Sequence, residues 1–252
     1  MYFLSVIFDY RCLQRYSEMT NNRRHDIFGD FISLFFPKYC LACDNALVKG
    51  ETMICTMCML EMPQTDYHRT RENPLSVRLS YRIPVKHAMA LFKFSKNGRV
   101  QHLLHQLKYR NHPEIGVTLG NFYGEKMKNE SEVRSDVDLI IPIPLHPARK
   151  RKRGYNQSAK FAEGLSEKLE IPFTDDLLER RIKTETQTRK TKLNRWENIS
   201  GVFGVKVPGS VKDKKILLVD DVITTGSTLE ACSQVLIDQG CKQLNIACIA
   251  EA

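Results

Sequence analysis

No stretch of this 252-residue chain approaches the roughly 20 apolar residues that a membrane-spanning helix needs. The short apolar start Tyr2–Phe8 has no basic region before it and no small-residue cleavage site after it, so it lacks the form of a secretory signal. Internal repeats and low-complexity tracts are missing as well, which argues against a solenoid or a disordered linker. The expectation is a cytoplasmic protein without membrane insertion. Acidic residues are outnumbered, 29 Asp and Glu against 38 Lys and Arg, for a formal charge of +9. Such a field concentrates anions such as phosphates, nucleotides or nucleic acid, and does not choose among them.

What is present is ordinary globular composition, 42% hydrophobic and 27% charged, with length for one sizeable core and a small appended module. Residues 1–27 turn polar in their second half and are expected to form a loosely held extension, or to precede a true start at Met19. Phe28–Pro37 reads as a short helix or turn. Val85–Phe94 has the length and content of a strand. From Arg99, the positions Val100, Leu103, Leu104 and Leu107 share one helical face. A second helix after Pro113 would turn Ile115, Leu119, Phe122, Tyr123 and Met127 inward. Leu139–Ile143, Lys215–Asp220 and Leu244–Ala250 read as buried strands, with helices at Phe161–Leu169 and Ser227–Gln239. Strands alternating with helices at this spacing predict an α/β fold with a mainly parallel sheet.

Four of the eight cysteines stand as two close pairs, Cys40 and Cys43, then Cys55 and Cys58. Two C-x₂-C knuckles bring four thiolates to one point, which suits tetrahedral Zn²⁺ with no position left for water, a structural site. Two disulfides or a redox pair are the alternatives. The spacer between the knuckles is short, so a compact ribbon is implied.

Ile216–Thr228 carries the most chemistry. A hydrophobic strand delivers Asp220 and Asp221 at its carboxyl end, and the loop Thr224-Thr-Gly-Ser-Thr228 then opens a helix. Backbone N–H groups backed by the helix dipole make a seat for a phosphate monoester. Thr224, Thr225, Ser227 and Thr228 add hydroxyl donors, and Gly226 admits the anion close to the backbone. Two carboxylates repel a phosphate, so Asp220 and Asp221 make sense as acceptors for neighbouring sugar hydroxyls, with help from a metal ion. A phosphate beside a diol describes a ribose 5-phosphate. The plainer alternative is a helix capped by Ser or Thr, with solvated acids.

This segment resembles the 5-phosphoribosyl-1-pyrophosphate (PRPP) motif of type I phosphoribosyltransferases across Val219–Thr228. The resemblance implies that the acids hold the ribose hydroxyls and the loop holds the 5-phosphate. Purine transferases of the hypoxanthine type carry an acid where Thr224 stands, which makes a hypoxanthine-like substrate a poor fit. After the earlier strand, Pro142-Ile-Pro-Leu-His-Pro leads into five cations, Arg149 to Arg153, read as a basic loop. Ligands of open α/β sheets gather beyond the carboxyl ends of strands, so this loop is expected in the same crevice, with Arg149 and Arg153 stabilising a departing pyrophosphate. Lys150 and Lys152 fit a solvated role equally well, and His146 is read as an ordinary loop residue.

The cysteine pairs, the proline-rich stretch, Arg153-Gly-Tyr-Asn-Gln157 and the phosphate loop together make the chain similar to the ComF family. Leu107-Lys-Tyr-Arg110 extends the likeness. The resemblance implies a four-cysteine zinc ribbon at 28–75, a type I phosphoribosyltransferase-like domain at 76–252, structural Zn²⁺, Mg²⁺ accompanying PRPP, and a link with competence for DNA uptake. Two functions follow: PRPP-dependent phosphoribosyl transfer, or a non-catalytic accessory that binds nucleotide or single-stranded DNA and meets DNA-uptake proteins. The cations of Arg180–Arg195, with Trp196 as a stacking surface, favour the second. Thr184–Asn198, long and polar, is expected to close over the bound sugar phosphate.

Overall fold

A computed structural model describes residues 36–181 and 202–252. The extension 1–27, nearly all of Phe28–Pro37, and the segment Thr184–Asn198 expected to close over the ligand, with Trp196, lie outside the described residues. Along the chain run α1 (Thr56–Glu61), α2 (Pro74–Ser80), β1 (Val85–Lys93), α3 (Arg99–Tyr109), α4 (Glu114–Glu130), β2 (Leu139–Pro142), α5 (Pro147–Arg153), α6 (Gln157–Leu169), β3 (Leu178–Arg180), β4 (Phe203–Val205), β5 (Lys215–Ile223), α7 (Ser227–Asp238) and β6 (Gln243–Glu251).

The main sheet is parallel throughout, in the order β1-β6-β5-β2. Its two faces follow from the alternation of side chains along each strand. Leu217 and Val219 of β5 face a layer containing α3, α4 and α6, whereas Ile216 and Leu218 face α2, α7 and the β3–β4 ribbon. All four of these β5 side chains are fully buried. Each contributes about 1.5–3 kcal/mol of apolar burial, so the strand that delivers the acids is anchored from both sides.

On the first face, α4 and α6 touch backbone to backbone. A Cβ on Gly120 would lie 2.3 Å from the Phe161 carbonyl oxygen, and one on Gly164 would lie 2.2 Å from that of Val117. Glycine at both positions is what lets α6 lie close to its neighbour. Phe122 departs from expectation, being only partly buried, because it falls at the edge of the face centred on Leu119, Tyr123 and Met127. The cysteine segment joins the same core: Cys40, Ala42, Cys58 and Met62 share it with Leu91, Leu103 and Leu107. At the surface of that junction, Arg99 of α3 pairs with Glu61, and His102 Nδ1 lies 3.3 Å from the Ala42 carbonyl oxygen.

Several short elements were not expected, helix α2 and the β3–β4 ribbon among them. Helix α2 begins with Asn73, whose side chain accepts from the amides of Leu75 and Ser76, followed by Pro74 at the first turn. The β3–β4 ribbon pairs Leu178 with Val205 and Arg180 with Phe203, antiparallel and outside the main sheet.

Candidate functional site

Strand β5 runs three residues beyond the expected end at Asp220, to Ile223. The acids therefore lie within the strand by its pairing with β6, where Asp220 is opposite Cys248. On the other side β2 stops at Pro142, opposite Val219. Asp220 and Asp221 thus stand just past the end of their neighbour, in a half-buried notch. The Ser158 hydroxyl donates to Asp220 Oδ1 at 3.1 Å, and the Asp221 amide donates to the same oxygen at 2.8 Å. Lys108 Nζ of α3 lies 2.9 Å from Asp221 Oδ2. Burial, then the charge on Asp221, push the Asp220 carboxyl up to about 7.

Beyond the notch, Thr224, Thr225, Ser227 and Thr228 are exposed, whereas Gly226 is buried with φ of 79°. A Cβ there would meet Leu79 of α2 at 3.0 Å, and the left-handed φ disfavours any other residue. Gly226 is itself the residue that precedes α7 and has no side chain to cap it, while the Ser227 amide donates to Thr225 Oγ1 at 3.5 Å. The hydroxyls of Thr225 and Ser227 lie 3.1 Å apart and engage each other. First-turn amides and hydroxyls together form a donor-rich surface suited to an anion. Arg82 reaches the loop from outside, its Nη1 donating to the Thr225 carbonyl oxygen at 3.2 Å.

The expected basic loop Arg149–Arg153 is helix α5. Its start is built by Pro147 and by His146, whose imidazole accepts from the Ala148 amide at 3.2 Å, and it ends at Gly154. Around a helix, consecutive cations fan out and cannot all face one ligand. Arg149, Lys152 and Arg153 line a cavity of about 470 Å³ together with Lys108, Tyr109 and Tyr155. Lys150 instead lies 3.8 Å from Asp175 Oδ2. The Arg153 guanidinium sits 5.1 Å from the Tyr109 ring centre and donates to Gln157 Oε1 at 2.9 Å.

Arg153-Gly-Tyr-Asn-Gln157 explains itself in this setting. The Tyr155 hydroxyl donates to the Leu107 carbonyl oxygen, tying the turn between α5 and α6 to α3. Asn156 caps α6 by accepting from the Ser158 amide at 3.2 Å, and its Nδ2 donates to the Ile143 carbonyl oxygen at 2.8 Å. The same five residues hold the cavity wall and set Ser158 under Asp220. Lys108, Tyr109 and Tyr155 fall within motifs of the family resemblance, but neither they nor Ser158 and Arg82 carry a periodic or spacing signal for these contacts, which join residues distant in sequence.

In the cysteine segment, one Sγ from each of Cys40, Cys43, Cys55 and Cys58 lies within 4.8 Å of the others. Cys43 and Cys55 Sγ are 3.8 Å apart, far beyond a disulfide bond of about 2.05 Å. A tetrahedron with metal–sulfur bonds of about 2.3 Å has edges of about 3.8 Å, so the donor set fits zinc. Amides of Cys55 and Ala42 point at Cys40 Sγ from 3.2 and 3.4 Å. Burial raises the Cys40 thiol, and these amides overcome it, bringing it down to about 7. All seven described cysteines are free thiols, and Cys232 and Cys248 are buried in the core.

Comparison with known proteins agrees with this construction. Residues 156–252 match the phosphoribosyl transferase domain family. Competence protein F of Haemophilus influenzae is 35% identical over 116 residues, 46% of this chain and 51% of that protein. DNA utilization protein YhgH of Escherichia coli K12 is 26% identical over 226 residues, 86% of this chain and 98% of that protein. Competence protein ComFC of Bacillus subtilis is 27% identical over 208 residues, 81% and 79% respectively. The parallel sheet with helices on both faces is a type I phosphoribosyltransferase-like fold, and the four-cysteine group at 40–58 fits an amino-terminal zinc ribbon. The chain is therefore a homologue of competence protein F, ComFC and YhgH that carries a phosphoribosyl transferase domain.

Proposed function

We propose that the chain binds PRPP in the crevice beyond β5 and β2 and transfers its phosphoribosyl group to a nucleophile, releasing pyrophosphate. The observation that carries this reading is the placement of the Asp220–Asp221 notch between the donor-rich start of α7 and the cation-lined cavity. A ribose 5-phosphate bearing a diphosphate has that order of groups. Asp220 and Asp221 accept from the ribose hydroxyls, Thr224–Thr228 hold the 5-phosphate, and Arg149 and Arg153 face the diphosphate with Lys152. The bond from carbon 1 to the diphosphate oxygen breaks as the bond to the nucleophile forms, and the electron pair leaves on pyrophosphate, where these cations stabilise it. Mg²⁺ supplies further neutralisation of the diphosphate, and the hard carboxylate oxygens at the notch suit it. Zn²⁺ at the four cysteines has a structural role, because four thiolates leave no open position. The segments 28–75 and 76–252 serve as ribbon and transferase-like domain, in the cytoplasm.

A second reading, a nucleotide-binding or single-stranded DNA-binding accessory in DNA uptake, is favoured by the exposed Tyr109 amid cavity cations and by the names of the relatives. One double variant separates the two. With Asp220→Asn and Asp221→Asn, PRPP binding is expected to weaken at least about tenfold, since a charged hydrogen bond is worth roughly 1.5–3 kcal/mol. Non-specific binding of single-stranded DNA is expected to strengthen, because two negative charges leave a cationic cleft. Unchanged PRPP affinity in a folded double variant rules out the sugar-phosphate assignment.

A further inference from the structure

Lys108 occupies a position between the two halves of the crevice. It lines the cavity with Arg149 and Arg153, and its ammonium is 2.9 Å from Asp221. The pair is sheltered, with 22% of the lysine side chain and 17% of the aspartate exposed, so the contact is less screened than a surface ion pair. Its backbone is fixed rather than free to drift: the Leu107 side chain is fully buried, and the Leu107 carbonyl oxygen is held by Tyr155. An ammonium offers three donors, and Asp221 takes one. The groups facing the acid pair from the other packed elements are Ser158 of α6, Cys232 of α7 and Cys248 of β6. Burial pushes both thiols far above their usual range and keeps them protonated, so among the described residues Lys108 supplies the positive charge.

In PRPP the carbon bearing the diphosphate adjoins the carbon bearing the first ribose hydroxyl. A cation in contact with the acid that takes the diol is thus within reach of the diphosphate. Resting on the ribose-phosphate reading above, we infer that Lys108 is a further substrate-binding residue, which aims the Asp220–Asp221 pair at the diol and donates to the diphosphate of the same molecule.

The test is calorimetry on the full chain carrying Lys108→Met or Lys108→Arg, titrated with Mg²⁺ plus PRPP and with ribose 5-phosphate from pH 6 to 8.5. Lys108→Met is expected to weaken PRPP binding at least about tenfold and ribose 5-phosphate binding less. The pH at which PRPP binding is half-maximal should move upward, because Asp220 loses a nearby cation that favours its charged form. Lys108→Arg should recover part of the loss. Unaltered PRPP affinity and pH profile in Lys108→Met overturn the inference and leave the ribose-phosphate reading standing. An equal loss for both ligands without a pH shift also overturns it, since that is the signature of a packing defect. If wild-type protein binds neither ligand, the reading falls and the inference with it. Should Lys108→Met fail to fold by circular dichroism, Lys108→Gln, shorter and polar, replaces it under the same criteria.

Discussion

The Ser158 hydroxyl and the Asp221 amide converge on one oxygen of Asp220, at 3.1 and 2.8 Å. Both favour the carboxylate, yet burial and the charge of Asp221 outweigh them and hold Asp220 at about 7. In the unfolded chain this carboxyl ionises near its ordinary 3.8. Because its folded value is raised, its contribution to stability is largest below the ordinary value, falls as pH rises to about 7, and is flat above. Ligand-free wild type should therefore lose more stability than Asp220→Asn between pH 5 and 8, measured by urea unfolding. A parallel pH dependence in the two proteins contradicts the assignment.

Ligand binding should run in the opposite direction. If the diol needs the Asp220 carboxylate, PRPP affinity rises by about tenfold from pH 6 to 8, the fraction ionised across a value of about 7. Calorimetry with Mg²⁺ plus PRPP at several pH values checks this, and a flat profile shows that Asp220 does not contribute as an anion.

Arg153 and Arg151 are two residues apart yet differ in setting, since Arg153 lines the cavity over Tyr109 whereas Arg151 is exposed. Arg153→Ala should weaken binding of pyrophosphate with Mg²⁺ at least about tenfold, and Arg151→Ala by no more than about twofold. Equal losses would reduce the cavity to a generic basic surface.

The purified protein should carry about one Zn²⁺ per chain. Cys43→Ser or a strong chelator should remove it and lower the melting temperature, because metal binding and folding are linked. The loss should extend beyond the ribbon to α3, whose Leu103 and Leu107 share a core with Cys40, Cys58 and Met62. Metal analysis and thermal melts followed by circular dichroism provide the check.

Gly164→Ala places a methyl group where 2.2 Å separates it from the Val117 carbonyl oxygen. Forcing α4 and α6 apart should cost about 1–3 kcal/mol or more in urea unfolding. Gly209→Ala, with nothing within 4 Å of an added Cβ but a φ of 78°, gives the comparison in which backbone strain acts alone.

Legibility in the sequence followed burial and chain proximity. Strands β1, β2, β5 and β6 and helices α3, α4, α6 and α7 announce themselves because each buries an apolar run or stripe. Helix α5 buries nothing, so its five cations read as a loop. Its only signals are Pro147 at the start and Gly154 at the end, the usual punctuation of a helix. The last three residues of β5 were missed because the acids interrupt the apolar run, although β6 pairing carries the strand on. Strands β3 and β4 are three residues each and find each other across a long separation, which no local pattern reveals. At the site, the acid pair and hydroxyl loop are contiguous and legible, whereas Lys108 and Ser158 reach them only through the packing of α3 and α6.

Helix α3 holds the ribbon at one end through Arg99 and His102 and meets Asp221 at the other through Lys108. Those ends are nine residues apart, about 14 Å along a helix axis, a length over which a helix behaves as a strut. The four-cysteine cluster and the crevice therefore share one strut: a tilt of the helix at its cysteine end would displace the counter-charge of Asp221 at the other.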